Sequence, residues 1–137
     1  MLVRAKQTRI SEEQKIAFDM PRTMDPMWQI TPDTDYVVFS VSCLQRPGVF
    51  GRSVVYEIID DFDRLMPVPA CLFEIINSRP SKHWVVNLSE KAFSLELQEF
   101  VDNPFLSERI LDRDEESLAT FSVIREMLEE EESGRAR

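Results

Sequence analysis

At 137 residues, 43% hydrophobic and 30% charged, the chain is long and apolar enough for one domain with a single core, which excludes disorder over most of its length. The net charge of −9 is uneven: residues 1–32 carry five basic and four acidic groups (+1), residues 33–88 five and seven (−2), and residues 89–137 six and fourteen (−8). An acidic surface repels phosphate backbones, which disfavours nucleic-acid binding and steers basic proteins toward it.

In chain order, residues 1–30 read as a wrapping N-terminal arm. SEEQKIAFDM suits a short helix capped by Ser11, with Ile16 and Phe18 or Met20 facing inward. PRTMDPMWQITPD, with three prolines, forms no regular element throughout and offers Met24, Met27, Trp28 and Ile30 to the core. TPDTD is a turn signal, and YVVFSVSCL, residues 36–44, is a predicted strand rich in β-branched and aromatic residues. The loop RPGVFG leads to a second strand, SVVYEIID, as a hairpin. Pro67 and Pro69 then suit an extended edge, CLFEII is a third strand or a helical turn, and HWVVNL is a fourth strand.

After Leu88 the pattern turns helical. Ser89 would cap EKAFSLELQEFV, with Phe93, Leu97, Phe100 and Val101 on one face; Asn103-Pro104 would start a short helix; a last helix would open near Asp112 or Asp114 and bury Leu118, Phe121, Ile124 and Leu128. The expected class is α+β: a small curved antiparallel sheet or partial barrel of about four strands over residues 31–88, helices over 89–132 and a tail over 133–137, all in one domain. YEIIDD and FEIINS are alike over six residues, which marks two strands of similar environment rather than a repeat.

Three features carry candidate chemistry. DDFD places Asp60, Asp61 and Asp63 together, as a turn, a cation site or an acidic patch for a partner. A calcium loop would require a glycine at the bend and a glutamate at its twelfth position, and neither follows, so the turn is preferred, with its carboxylates pointing outward. His83 lacks the cysteine spacing of a zinc site and any nucleophile-elbow context, and reads as structural rather than catalytic. Cys43 and Cys71 sit in apolar surroundings and read as buried, reduced thiols. With three glycines (Gly48, Gly51 and Gly134) the chain builds neither a P-loop nor a dinucleotide fingerprint, so no cofactor is expected. Finally, EMLEEEE puts Glu129, Glu130, Glu131 and Glu132 where acids oppose the helix macrodipole, as a fraying tail or a docking surface for a basic partner.

No apolar run approaches the roughly 20 residues of a membrane span. MLVRAKQTRISEEQK lacks the apolar stretch of a secretory signal, so a cytoplasmic location is expected.

The run TPDTDYVVFSVSCL, followed by VVYEIIDDFDRLMPVPACLFEIINSRPSKHWVV, resembles small immunity proteins of bacterial polymorphic-toxin systems. The likeness covers about residues 31–88 and rests on a Tyr-Val-Val strand, an acidic hairpin, a proline-flanked Pro-Ala-x-Leu-Phe-Glu segment and a Ser-x-x-Trp strand. It implies a non-enzymatic antitoxin that binds one cognate toxin. Binding residues in such proteins vary with the toxin, so none is transferred. From charge and residue type, Asp60, Asp61, Asp63 and Glu129, Glu130, Glu131 and Glu132 are the expected anionic contacts, with Arg79 and Trp84 as flanking anchors. The competing class is a small-ligand or metal-dependent hydrolase or binding module built on the Asp60–Asp63 carboxylates.

Overall fold

The computed structural model describes residues 1–45, 50–90 and 92–135, and its strands form two antiparallel sheets. In the smaller, β1 (Leu2–Ala5) lies between β2 (Asp35–Val37) and β6 (Phe73–Asn77). The larger has the order β5 (Leu65–Pro69), β4 (Val54–Ile59), β3 (Ser40–Leu44), β8 (Ala92–Leu97), β7 (Trp84–Leu88). Helices α1 (Glu12–Ala17), α2 (Gln98–Asp102), α3 (Leu106–Leu111) and α4 (Glu115–Arg135) complete an α+β architecture.

Two cores lie around the larger sheet. Val3, Val38, Tyr56, Ile58, Val68 and Leu72 join it to the smaller sheet. Phe39, Leu97, Phe100, Ile110, Phe121, Ile124 and Leu128 join it to α2, α3 and α4. Trp84 packs against both.

Several local signals produce what they predict. Ser11 Oγ accepts from Gln14 N (3.1 Å) while Gln14 Oε1 accepts from Ser11 N (2.9 Å), a reciprocal cap that starts α1. Pro67 and Pro69 lie in β5, an edge strand, where a missing N–H costs no ladder bond. CLFEII is both things its sequence allowed: a 3-10 turn over Ala70–Leu72, then β6. Asp114 Oδ2 accepts from Ser117 N (3.0 Å) and Ser117 Oγ (2.6 Å), capping α4, whose Phe121, Ile124 and Leu128 are buried.

Other expectations are corrected. The arm contains β1, the central strand of the smaller sheet, with Val3 and Ala5 fully buried. Within the arm Met20 and Ile30 are buried, whereas Ile16, Met24 and Met27 are exposed. The strand expected over residues 36–44 is two strands in different sheets: Tyr36 and Val38 enter the first core from even positions and Val41 from an odd one, which a single regular strand cannot do. Val38 N donates to Met1 O (3.1 Å) and Phe39 N to Glu57 O (2.8 Å), so the hydrogen bonding changes sheet at this step.

The helix expected from Ser89 is mostly β8, paired with β3 on one side and β7 on the other; Lys91 lies outside the described residues, and among those described only Gln98–Asp102 is helical. Pairing on both edges outweighs the helical spacing of Phe93 and Leu97. The described residues therefore form eight strands rather than four. The expected tail belongs to α4 as far as Arg135. Residues 46–49 of the glycine loop and 136–137 of the tail lie outside the described residues.

Candidate functional site: an acidic corner joined to the last helix

β4 and β5 turn through Asp60–Arg64, and Asp63 occupies the left-handed region (φ 59°) that aspartate tolerates better than most residues. Asp60 organises the corner from inside. Its Oδ1 accepts from Phe62 N and Arg64 N (both 3.0 Å), and its Oδ2 from Arg64 Nε (3.1 Å) and Nη2 (2.8 Å). At 6% exposure this carboxylate faces inward, contrary to the outward set expected from sequence. Phe62 is exposed at the tip, with the Arg64 guanidinium over its ring.

Asp61 bonds elsewhere. It accepts from Tyr36 Oη and Thr31 Oγ1 (2.7 Å each), while its amide donates to Gln29 O (2.8 Å), tying the corner to the segment before β2. Burial, reinforced by this carboxylate, raises the Tyr36 pKa. Asp63 accepts from Arg125 Nη1 (2.7 Å), and Arg125 Nε also donates to Glu129 (3.0 Å). The Asp63 hydrogen bond is the main reason the Arg125 pKa lies above its usual value. The three aspartates thus point at three separate partners, and among the described residues no three His, Cys, Asp or Glu side chains converge as a metal site.

The glutamate run divides in two. Glu132, 8% exposed, takes the Met1 amine (2.8 Å) and Asn77 Nδ2 (2.7 Å). Glu131 takes Ser81 Oγ (2.6 Å), Lys82 N (2.9 Å) and Arg135 Nη2 (2.9 Å). Burial opposes its ionisation, but the Ser81 hydroxyl, the Lys82 amide and Arg135 outweigh that and lower its pKa. Arg135 also donates to the carbonyls of Arg79 (2.9 Å) and Pro80 (2.7 Å), supplying the cation that a helix C-terminus favours. Glu129 and Glu130 stay on the exposed side.

Arg79 lies in the connection into β7, where its carbonyl accepts from Arg135, and Trp84 is the first residue of β7; neither belongs to the aspartate corner. Arg79 is exposed; Trp84 is half-buried, and its Nε1 has no hydrogen-bond partner among the described residues. His83 uses its backbone amide to hold Ser81 Oγ (3.1 Å). Cys43 and Cys71 are unpaired and half-buried rather than fully buried, and burial raises the Cys71 thiol pKa.

What the corner and the helix form together is an anionic surface. A groove of about 290 Å³ is lined by Asp35, Asp61, Asp63, Arg125 and Glu129, and the adjoining outer face of α4 carries Glu126 and Glu130. Asp35, Asp61, Asp63, Glu126, Glu129 and Glu130 are all exposed, and Arg125 is the cation between them, with Arg4 holding Asp35. Helix α4 alone carries seven acidic residues and two basic ones. Sequence reading missed Asp35, Arg125 and Glu126; the Arg125–Glu129 spacing of four was the available signal for the second. No helix among the described residues is long and apolar enough to cross a membrane. Comparisons with family models, curated proteins and solved structures find no match to the chain.

Proposed function

We propose that this chain is a non-enzymatic protein inhibitor that docks a basic protein, in the manner of the immunity proteins its residues 31–88 resemble. The observation that carries the reading is the run of exposed carboxylates from Asp61 and Asp63 through Glu129 to Glu126 and Glu130, bridged by Arg125. Such an array raises the encounter rate with a cationic surface and discriminates against acidic or neutral ones. The partner is a basic protein, a toxin acting in the cytoplasm of the cell that makes both. Asp60, Glu131 and Glu132 would hold the array in place, while the exposed acids make contact.

The test pairs this chain with the protein encoded beside it. Co-expression should protect the host cell and yield a complex whose association slows as salt is added. The triple change E126K/E129K/E130K should lower the association rate by at least about tenfold and flatten its salt dependence. An unchanged rate in that variant would remove this surface from the binding reaction.

A further inference from the structure

Charge changes sign across the Asp63–Arg125 ion pair (2.7 Å), whose two side chains line a groove on either side of it. Toward β2 lies the acidic groove described above, where Arg125 faces Asp35, Asp60, Asp61, Asp63 and Glu129. Toward α3 lies a second groove, of about 180 Å³, lined by Arg64, Arg113 and Arg125 with Asp63 as its acid. Its floor is apolar, made by Leu65 of β5, Ile110 of α3, and Leu118 and Phe121 of α4. In a chain of net charge −9, three arginines on one groove are a local reversal.

The fold uses these arginines only in part. Arg64 commits Nε and Nη2 to Asp60, and Arg125 commits Nη1 to Asp63 and Nε to Glu129, which leaves Nη1 of Arg64 and Nη2 of Arg125 uncommitted among the described residues. Arg113 is exposed and has no hydrogen bond or ion pair among the described residues. Its backbone is left-handed (φ 64°), a conformation that arginine disfavours. Asp112 and Asp114 flank it in sequence without lining the groove, and Asp114 is engaged by Ser117.

We propose that the arginine groove seats a carboxylate side chain of the same basic partner, so that the docking surface reads a charge pattern, cations flanking one acid, rather than net charge. The assignment rests on the inhibitor reading above. Guanidinium groups around an apolar floor match a planar carboxylate on an aliphatic stem. The volume suits one side chain, whereas pockets that enclose a whole small ligand run to about 300–1,000 Å³. A partner cation in the same place would meet three like charges. That repulsion penalises any uniformly basic protein that the acidic groove alone would attract, so one groove governs encounter and the other selectivity.

Arg113→Glu tests this by the sign of its effect. With a partner carboxylate in the groove the change opposes acid to acid, and the complex with the protein encoded beside this chain should dissociate at least about tenfold faster. With partner cations there instead, the added anion would tighten the complex. Poly-lysine, a probe that offers cations only, should bind Arg113→Glu more tightly than wild type, opposite in sense to the partner. Glutamate and arginine are both disfavoured in the left-handed region, so the thermal midpoint of the free chain should not move. A complex that tightens or is unchanged in Arg113→Glu, or a partner that responds in the same sense as poly-lysine, overturns the assignment. So does a thermal midpoint of the free chain that rises with inorganic phosphate only while Arg113 is present, which would give the groove to a small anion. In each of these cases slowed association of E126K/E129K/E130K would still uphold the inhibitor reading, whereas the absence of any complex overturns both.

Discussion

Replacing Asp60 with alanine separates an internal from an external role for the acidic corner. The carboxylate accepts from two backbone amides, Phe62 N and Arg64 N, and from the Arg64 guanidinium, at 6% exposure. Alanine leaves both amides without their acceptor at a partly buried turn. Each such loss costs about 1–3 kcal/mol, and the Arg64 pair adds little because that side chain is 41% exposed. A destabilisation of about 3 kcal/mol follows, roughly 10 °C in Tm for a domain of this size. Asparagine can still accept from both amides and should recover most of it. Asp63→Asn keeps a residue that tolerates the left-handed backbone, loses a solvent-exposed ion pair with Arg125 and should cost under about 1 kcal/mol. Urea and thermal unfolding of the three variants provide the measurement. An Asp60→Ala protein within about 0.5 kcal/mol of wild type would refute the inference that the buried carboxylate holds the turn.

Glu132→Ala should cost about 3 kcal/mol in urea unfolding, because it strands the Met1 amine and Asn77 at a site 9% exposed; Glu130→Ala, on the open face, should stay within about 0.5 kcal/mol. Glu57 lies between Ser40 Oγ (2.7 Å) and Ser107 Oγ (3.2 Å), and burial, with nearby Glu96, raises its pKa against those two hydrogen bonds. A raised folded-state pKa means that stability falls as pH climbs from the ordinary carboxylate range through the raised value. Glu57→Gln should therefore be more stable than wild type at neutral pH, with the advantage vanishing in acid, as chemical denaturation at several pH values would show. At Gly51 (φ 61°) a Cβ would overlap the Phe18 carbonyl oxygen, which also accepts from Arg52 N (2.7 Å). Gly51→Ala should lower stability by about 3 kcal/mol or more, measured by thermal unfolding.

Signals contained within a few residues of sequence were legible, and signals that depend on a distant partner were not. The Ser11 cap, the β5 prolines and the Phe121–Ile124–Leu128 stripe each act within one element. β8 was ambiguous because Phe93 and Leu97 satisfy helical and strand spacing alike; Leu95, outside the helical stripe but in phase with the strand, favoured the observed answer. The change of sheet at Val38–Phe39 left a trace too. Tyr36 and Val38 face the first core on even positions, whereas Val41 faces it on an odd one, a phase slip that one strand cannot accommodate. β1 is four residues long, too short for its Val3–Ala5 alternation to stand out. At the site, charge and clustering identified the acidic corner. They did not reveal that Asp60 is buried, since its burial depends on how the turn folds back on it.

The glutamate run shows why charge counting alone misjudges a surface. Read as four equivalent anions at a helix C-terminus, it should repel itself and fray. Residues 49 or more positions away remove two of the four from that sum: Ser81 and the Lys82 amide engage Glu131, and Asn77 and the Met1 amine engage Glu132. Once those two hold the end of α4 against Met1, Asn77 and the Ser81–Lys82 connection, the exposed Glu126, Glu129 and Glu130 within the preceding two turns are held relative to Asp63. Side chains already held in place lose less entropy on meeting a partner than those of a frayed tail. The buried glutamates therefore bear on binding without touching a partner. Their replacement should weaken association through the order of α4, whereas replacing Glu126 or Glu130 should act through charge alone, and added salt should suppress only the second effect.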